Sequence, residues 1–100
     1  DFRMGINGLS ILVEQAMSLN PMARALYVFA NRRRDRIKIL CWDGNGFWLL
    51  LKRLEANDRF VWPAATEIAM LGVEQLHWLL QGIDVTAIRK HPQRHYARVS

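Results

Sequence analysis

Cysteine is almost missing from this 100-residue chain. Cys41 stands alone, which excludes an internal disulfide and a zinc site built on cysteines. A lone cysteine also suits a reduced, cytoplasmic setting. Long hydrophobic runs are missing too. Stretches such as residues 47–51 fall far short of the ~20 residues that a membrane-spanning helix requires, so no membrane association is expected. The opening Asp1, Phe2 and Arg3 lack the basic-then-apolar start of a secretory signal. Because the chain does not open on Met, it is expected to be trimmed from a longer product. Internal repeats and low-complexity tracts are absent.

Catalytic groupings are equally scarce. Asp43, Glu55 and Asp58 sit at predicted hairpin ends, where turn chemistry explains them. Cys41 lies inside an apolar stretch, as a buried structural thiol does. His91 and His95 have the i, i+4 spacing of a helical metal pair, but Pro92 interrupts them and no acid or cysteine is near. His77 falls on a predicted apolar helix stripe and is expected in a core or interface. Gly44-Asn45-Gly46 precedes no helix and lacks the G-x-x-x-x-G-K pattern of a phosphate loop. No enzyme activity, cofactor or metal is therefore expected.

What remains is a foldable and basic chain. Its residues are 51% hydrophobic, 10% aromatic and 23% charged, enough to build one core and too short for two domains. Fourteen basic side chains oppose nine acidic ones for a net +5, and arginine outnumbers lysine. The excess is concentrated. Residues 31–38 carry +4 through Arg32, Arg33, Arg34, Arg36 and Lys38 against Asp35. Residues 85–100 carry another +4 through Arg89, Lys90, Arg94 and Arg98. Clustered positive charge is the footprint of a polyanion-binding surface, and arginine favours bidentate phosphate contacts. A solvated turn and a loose tail would look the same.

Periodicity outlines the fold. Ile6, Leu9, Leu12, Val13, Ala16 and Met17 form an i, i+3, i+4 stripe, predicting a helix over 5–18 that Asn20-Pro21 ends. Residues 25–30, 36–42 and 47–54 read as strands, and residues 59–62 as a further one closed by Pro63. A two-residue Gly44-Asn45 turn would set Trp42 opposite Phe47, Cys41 opposite Trp48 and Arg36 opposite Arg53. One strand face then grades from apolar near the turn to basic at the far end. Residues 66–71 are ambiguous. Val73, Leu76, His77, Leu80 and Ile83 make a second helical stripe, with Gly82 as its C-terminal cap. The expected fold is α+β: an antiparallel meander of three to five strands flanked by an N-terminal and a C-terminal helix. The expected division is one domain over 1–84 and a basic, flexible tail over 85–100.

The expected DNA-contacting residues are Arg32, Arg33, Arg34, Arg36, Lys38, Arg53, Arg89, Lys90 and Arg94. Three consecutive arginines in a flexible turn splay outward, which suits phosphate contacts rather than base reading. Trp42, Trp48 and Trp78 are the expected interaction residues. They serve as core, as stacking platforms for bases, or as a protein contact.

The ordered strings resemble a known family. The opening Asp1-Phe2-Arg3-Met4-Gly5-Ile6-Asn7-Gly8-Leu9 is similar to its D-x-R-x-G-x-x-G-L start. Phe29-Ala30-Asn31-Arg32-Arg33, Asp35-Arg36-Ile37-Lys38, Trp42-Asp43-Gly44-Asn45-Gly46-Phe47, Lys52-Arg53-Leu54-Glu55 and Arg59-Phe60-Val61-Trp62-Pro63 follow in its order. Leu79-Leu80-Gln81-Gly82-Ile83-Asp84 matches its closing helix. The family is the TnpB-type accessory protein, the second reading frame of a group of bacterial insertion sequences. It is distinct from the RNA-guided nuclease of the same name. The resemblance implies a non-enzymatic accessory role in transposition, with DNA and the element's transposase as partners and homo-oligomers possible. A protein-interaction module that docks the transposase or self-associates is the alternative.

Overall fold

A computed structural model describes residues 2–88. Helix α1 spans Ile6–Ala16, followed by strands β1 (Leu26–Ala30), β2 (Arg36–Trp42), β3 (Phe47–Arg53) and β4 (Ile68–Leu71), then helix α2 (Val73–Leu80). All strand pairs are antiparallel in the order β3-β2-β1-β4. The first three strands form a meander. The fourth returns by a long connection to lie beside β1, which is Greek-key order. Trp42–Phe47, Cys41–Trp48 and Arg36–Arg53 face one another across β2 and β3, as the two-residue turn requires.

Alternation along the strands divides the core in two, because successive side chains point to opposite faces. On one face Tyr27, Phe29 and Leu40 bury with Leu9 and Val13 of α1. On the other Val28, Ala30, Ile37, Ile39, Ala69 and Leu71 bury with Phe60 and Leu79 of α2. The buried Tyr27 hydroxyl donates to the Asn20 carbonyl at 2.8 Å, which fastens the loop after α1 to the sheet. Ser18 takes a left-handed φ of 54°, and the Leu19 N–H turns back to the Val13 carbonyl at 3.3 Å. Helix α1 thus ends shorter than its apolar stripe.

Two expectations are corrected. Residues 59–62 form no strand. A continuing hairpin would have set Phe60 opposite Arg53 and Trp62 opposite Leu51, at the exposed margin of the sheet. Instead the Glu55-to-Asp58 turn, with Ala56 and Asn57 both left-handed, sends the chain across the sheet's end. Phe60 then buries in the α2-side core, and its N–H donates to the Arg34 carbonyl at 2.7 Å. The second helix also turns a different face inward. Leu79 is buried and Leu76 half-buried against the core, whereas Val73, His77 and Leu80 are exposed. Several apolar stripes fit so apolar a segment. Only Gly72 separates α2 from β4, so the inward-facing Leu71 sets the helix's rotation. Beyond α2, Gly82 adopts φ 77° and residues Val85–Ala87 make one 3₁₀ turn, with Val85 packed against the core.

Candidate nucleic-acid interface

Asn31 organises the arginine loop between β1 and β2. Its N–H donates to the Arg36 carbonyl at 3.2 Å. Its Oδ1 accepts the N–H groups of Asp35 and Arg36, both at 3.1 Å, and its Nδ2 donates to Asp35 Oδ1 at 2.5 Å. Its carbonyl accepts from the Arg34 N–H at 3.1 Å and from Arg34 Nη1 at 3.2 Å. An asparagine that bonds the backbone of its own turn in this way replaces flexibility with a fixed shape.

Arg34 completes the turn with a left-handed φ of 59°, the conformation that longer hairpin loops built on a type I turn require. Its guanidinium lies 5.4 Å from the centre of the Trp62 ring, within cation–π range. The loop is therefore anchored from beneath by residues 60–62. Arg34 faces inward and is half-buried, while Arg32 and Arg33 are exposed. Of three consecutive arginines, two are presented outward.

Asp35 belongs to the same device. The hydrogen bond from the Asn31 side chain holds its carboxyl below the usual range, with smaller support from the charges of Arg33 and Arg36. It stays anionic and offsets part of the loop's positive charge.

The basic character continues along the α1-side face. Arg36 stands opposite Arg53, and Arg53 pairs with Glu55, whose Oε1 accepts from Nε at 2.9 Å and Nη2 at 2.8 Å. Lys38 has a different task. Its Nζ donates to the carbonyls of Phe2 at 2.5 Å and Met4 at 3.0 Å and sits 4.8 Å from the centre of the Phe2 ring. Lys38 therefore ties the N-terminal segment down beside β2. The result is an open cleft of about 650 Å³ lined by Phe2, Arg3, Arg36, Lys38, Leu51, Arg53 and Glu55. A neighbouring cleft of about 430 Å³ is lined by Phe2, Arg3, Asn31, Arg32 and Glu67. Arg3 lines both, so one basic surface runs from the loop to the end of β3. Sequence reasoning missed Arg3 and Phe2 as site residues. Their only signal was Arg3's place in the opening D-x-R string.

None of the tryptophans lines the two clefts. Trp42 packs edge-to-face on Phe47 at the turn end of the sheet, with ring centres 4.9 Å apart. Trp48 lies on the opposite face, 58% exposed, and its indole N–H donates to Asp43 at 3.0 Å. Trp62 is half-buried and donates to the Thr66 carbonyl at 2.6 Å. Trp78 is half-buried in α2. The aromatic ring in the two clefts is Phe2, and the one beneath the loop is Trp62. Arg89, Lys90, Arg94 and Arg98 lie outside the described residues. Among the described residues, no group of histidine, cysteine, aspartate or glutamate side chains could hold a metal ion. No described helix is long and apolar enough to cross a membrane.

Comparison with known proteins accounts for nearly the whole chain. The chain is 34% identical over 101 residues to the uncharacterized protein y4jC of Sinorhizobium fredii, spanning all of this chain and 86% of that one. It is 39% identical over 94 residues to y4hO of the same organism, spanning 93% of this chain and 77% of that one. No solved structure matches. The family model described as IS66 Orf2 like protein matches residues 1–90, taking in both the anchored arginine loop and the N-terminal segment held by Lys38. The chain belongs to the IS66 Orf2-like family, accessory proteins of bacterial insertion sequences.

Proposed function

We propose that this protein is a non-enzymatic accessory factor of transposition that holds DNA by its phosphate backbone. The observation that carries this reading is the anchored loop: Asn31 and Trp62 fix it from within while Arg32 and Arg33 face outward. Arg3, Arg36 and Arg53 extend the same surface through the adjoining clefts. Guanidinium groups make charge-assisted, often bidentate hydrogen bonds to phosphate oxygens. Two arginines on a turn provide two such points without a helix or ribbon to enter a groove. They position a duplex rather than read it. Lys38 and Arg34 are positioning residues in this reading, and the basic residues Arg89, Lys90 and Arg94 add attraction at longer range. Recognition of element ends would come from the transposase.

Salt dependence tests the reading. Each phosphate contact contributes about 0.9 to the slope of log affinity against log salt on duplex DNA. Replacing Arg32 and Arg33 together by alanine is expected to lower that slope by roughly 1.8. Binding to element-end and random duplex should fall by similar factors. Arg34→Ala should leave the slope unchanged and lower thermal stability. Loss of element-end preference alone would mean that the arginines read bases. Unchanged binding by the double variant would shift the role to protein contacts.

A further inference from the structure

Strand β3 ends the sheet, and its burial is unlike that of the other strands. Trp48 is 58% exposed, Leu50 51% and Leu51 64%, which is a heavy apolar load for an edge. Helix α2 packs over the β4 side of its face, leaving Trp48 and Leu50 uncovered among the described residues.

The backbone of this edge has a definite phase. The Asp43 N–H donates to the Gly46 carbonyl and the Leu54 N–H to the Asp35 carbonyl, both at 2.8 Å. In an antiparallel ladder, residue pairs that exchange hydrogen bonds alternate with pairs that do not. Between those two fixed points, Trp48, Leu50 and Lys52 therefore bond to β2. Phe47, Leu49, Leu51 and Arg53 turn their N–H and C=O groups outward. Among the described residues, none of these four has a backbone partner beyond the edge.

We propose that β3 pairs antiparallel with β3 of a second copy of this chain, centred on Leu50, to make one continuous eight-stranded sheet. The proposal is independent of the DNA reading. A two-fold axis normal to the sheet keeps each side chain on its own face. Centring that axis on Leu50 matches all seven residues of the strand. Leu49 meets Leu51 of the second copy and Phe47 meets its Arg53, and in each case both residues have outward-facing backbone groups. The Leu50 residues then meet as a non-hydrogen-bonded pair on the axis. Side-chain chemistry agrees with this register. Trp48 comes opposite Lys52 of the second copy, and Phe47 opposite Arg53, each an aromatic ring against a cation. No like charges oppose. A shift of one step toward the basic end, centred on Leu51, would leave Phe47 and Trp48 without strand partners. A second step would place Lys52 opposite Lys52, and a shift toward the turn would leave Lys52 and Arg53 without strand partners. An edge this short makes a small interface, so the dimer is concentration-dependent.

The test uses the full chain with Cys41→Ser as background. Sedimentation should show a monomer–dimer equilibrium at micromolar concentrations. Leu50→Lys, which sets two ammonium groups on the axis, and Leu51→Pro, which removes an outward N–H and leaves the β2 bonds intact, should each yield a monomer. Circular dichroism checks that each variant remains folded, and either one alone decides the point. Non-hydrogen-bonded pairs lie ≈ 4.5 Å apart at Cα, within the 4.4–6.8 Å of a disulfide. The Leu50→Cys variant should therefore oxidise to a covalent dimer in high yield, while Leu49→Cys and Leu51→Cys should not. A monomer at every concentration would overturn the proposal. So would a dimer that survives Leu50→Lys and Leu51→Pro, or faster cross-linking through Leu49→Cys or Leu51→Cys.

Discussion

The two hairpin loops of the meander are similar in length and differ in what holds them. The Asp43-to-Gly46 turn closes on itself. Asp43 donates to Gly46, Asn45 donates to Asp43 at 2.6 Å, and Gly44 supplies a φ of 65°. The 31–35 loop is held by tertiary structure: Phe60 bonds it from below, Trp62 faces the Arg34 guanidinium, and Asn31 ties its backbone together. The first loop is held by its own residues and by the adjoining Trp48 indole, which donates to Asp43. The second exists because a segment some 25 positions later passes beneath it. A charged loop that must keep its shape without a core of its own borrows rigidity from a distant part of the chain.

Breaking the support should show the difference most clearly. Phe60→Ala opens a cavity in the α2-side core and is expected to cost about 3–5 kcal/mol, measured by chemical denaturation. The loss should include hydrogen-exchange protection in the 31–35 loop and spare the Asp43-to-Gly46 turn. A smaller effect is expected from Asn31→Ala, which strips partners from the Asp35 and Arg36 N–H groups, at about 1–3 kcal/mol. Gly44→Ala forces a Cβ into the left-handed region and should cost about 1–2 kcal/mol, confined to its own turn.

The smallest effect concerns acid. The Asp35 carboxyl titrates below its unfolded value of about 3.9. Its contribution to stability is thus present above that pH and fades as pH falls through the lower folded value. The parent should lose stability more steeply below about pH 4 than the Asp35→Asn variant. Equal acid profiles would mean that the Asn31–Asp35 bond does not support the loop.

Local chemistry explains which parts were legible beforehand. The β2–β3 register followed from one turn, because two residues between strands leave no freedom in pairing. Strand β1 was clear from its aromatic and β-branched run. The fate of residues 59–62 was not legible, since alternation is the same whether a segment pairs in a sheet or crosses beneath one. The inward face of α2 depended on the single residue linking it to β4. At the candidate interface, the outward Arg32 and Arg33 were foreseeable from their place in a turn. The inward Arg34 was hidden because Trp62, which it faces, lies 28 positions away in sequence. Lys38 is a similar case: its place on a strand gave no sign of its bonds to the carbonyls of Phe2 and Met4, more than thirty positions earlier.

The Greek-key order also bears on how the chain assembles. Within the meander, strands pair across short turns, whereas β1 and β4 join residues such as Phe29 and Ile68, some 39 positions apart. Closing that longer loop costs more entropy before any contact repays it, so β4 and α2 are expected to dock after the meander has formed and to detach ahead of it. Detachment strips β1 of its outer partner and exposes Val28, Ala30 and Ala69 from the core. The partly opened chain then carries unpaired strand edges on both sides of its sheet, β3 on one and β1 on the other. In the intact molecule that second side ends in the four-residue β4, and pairing through β3 stops at two. The opened form adds exposed core side chains to its two edges, so aggregation of this protein is expected to track the opening of β4.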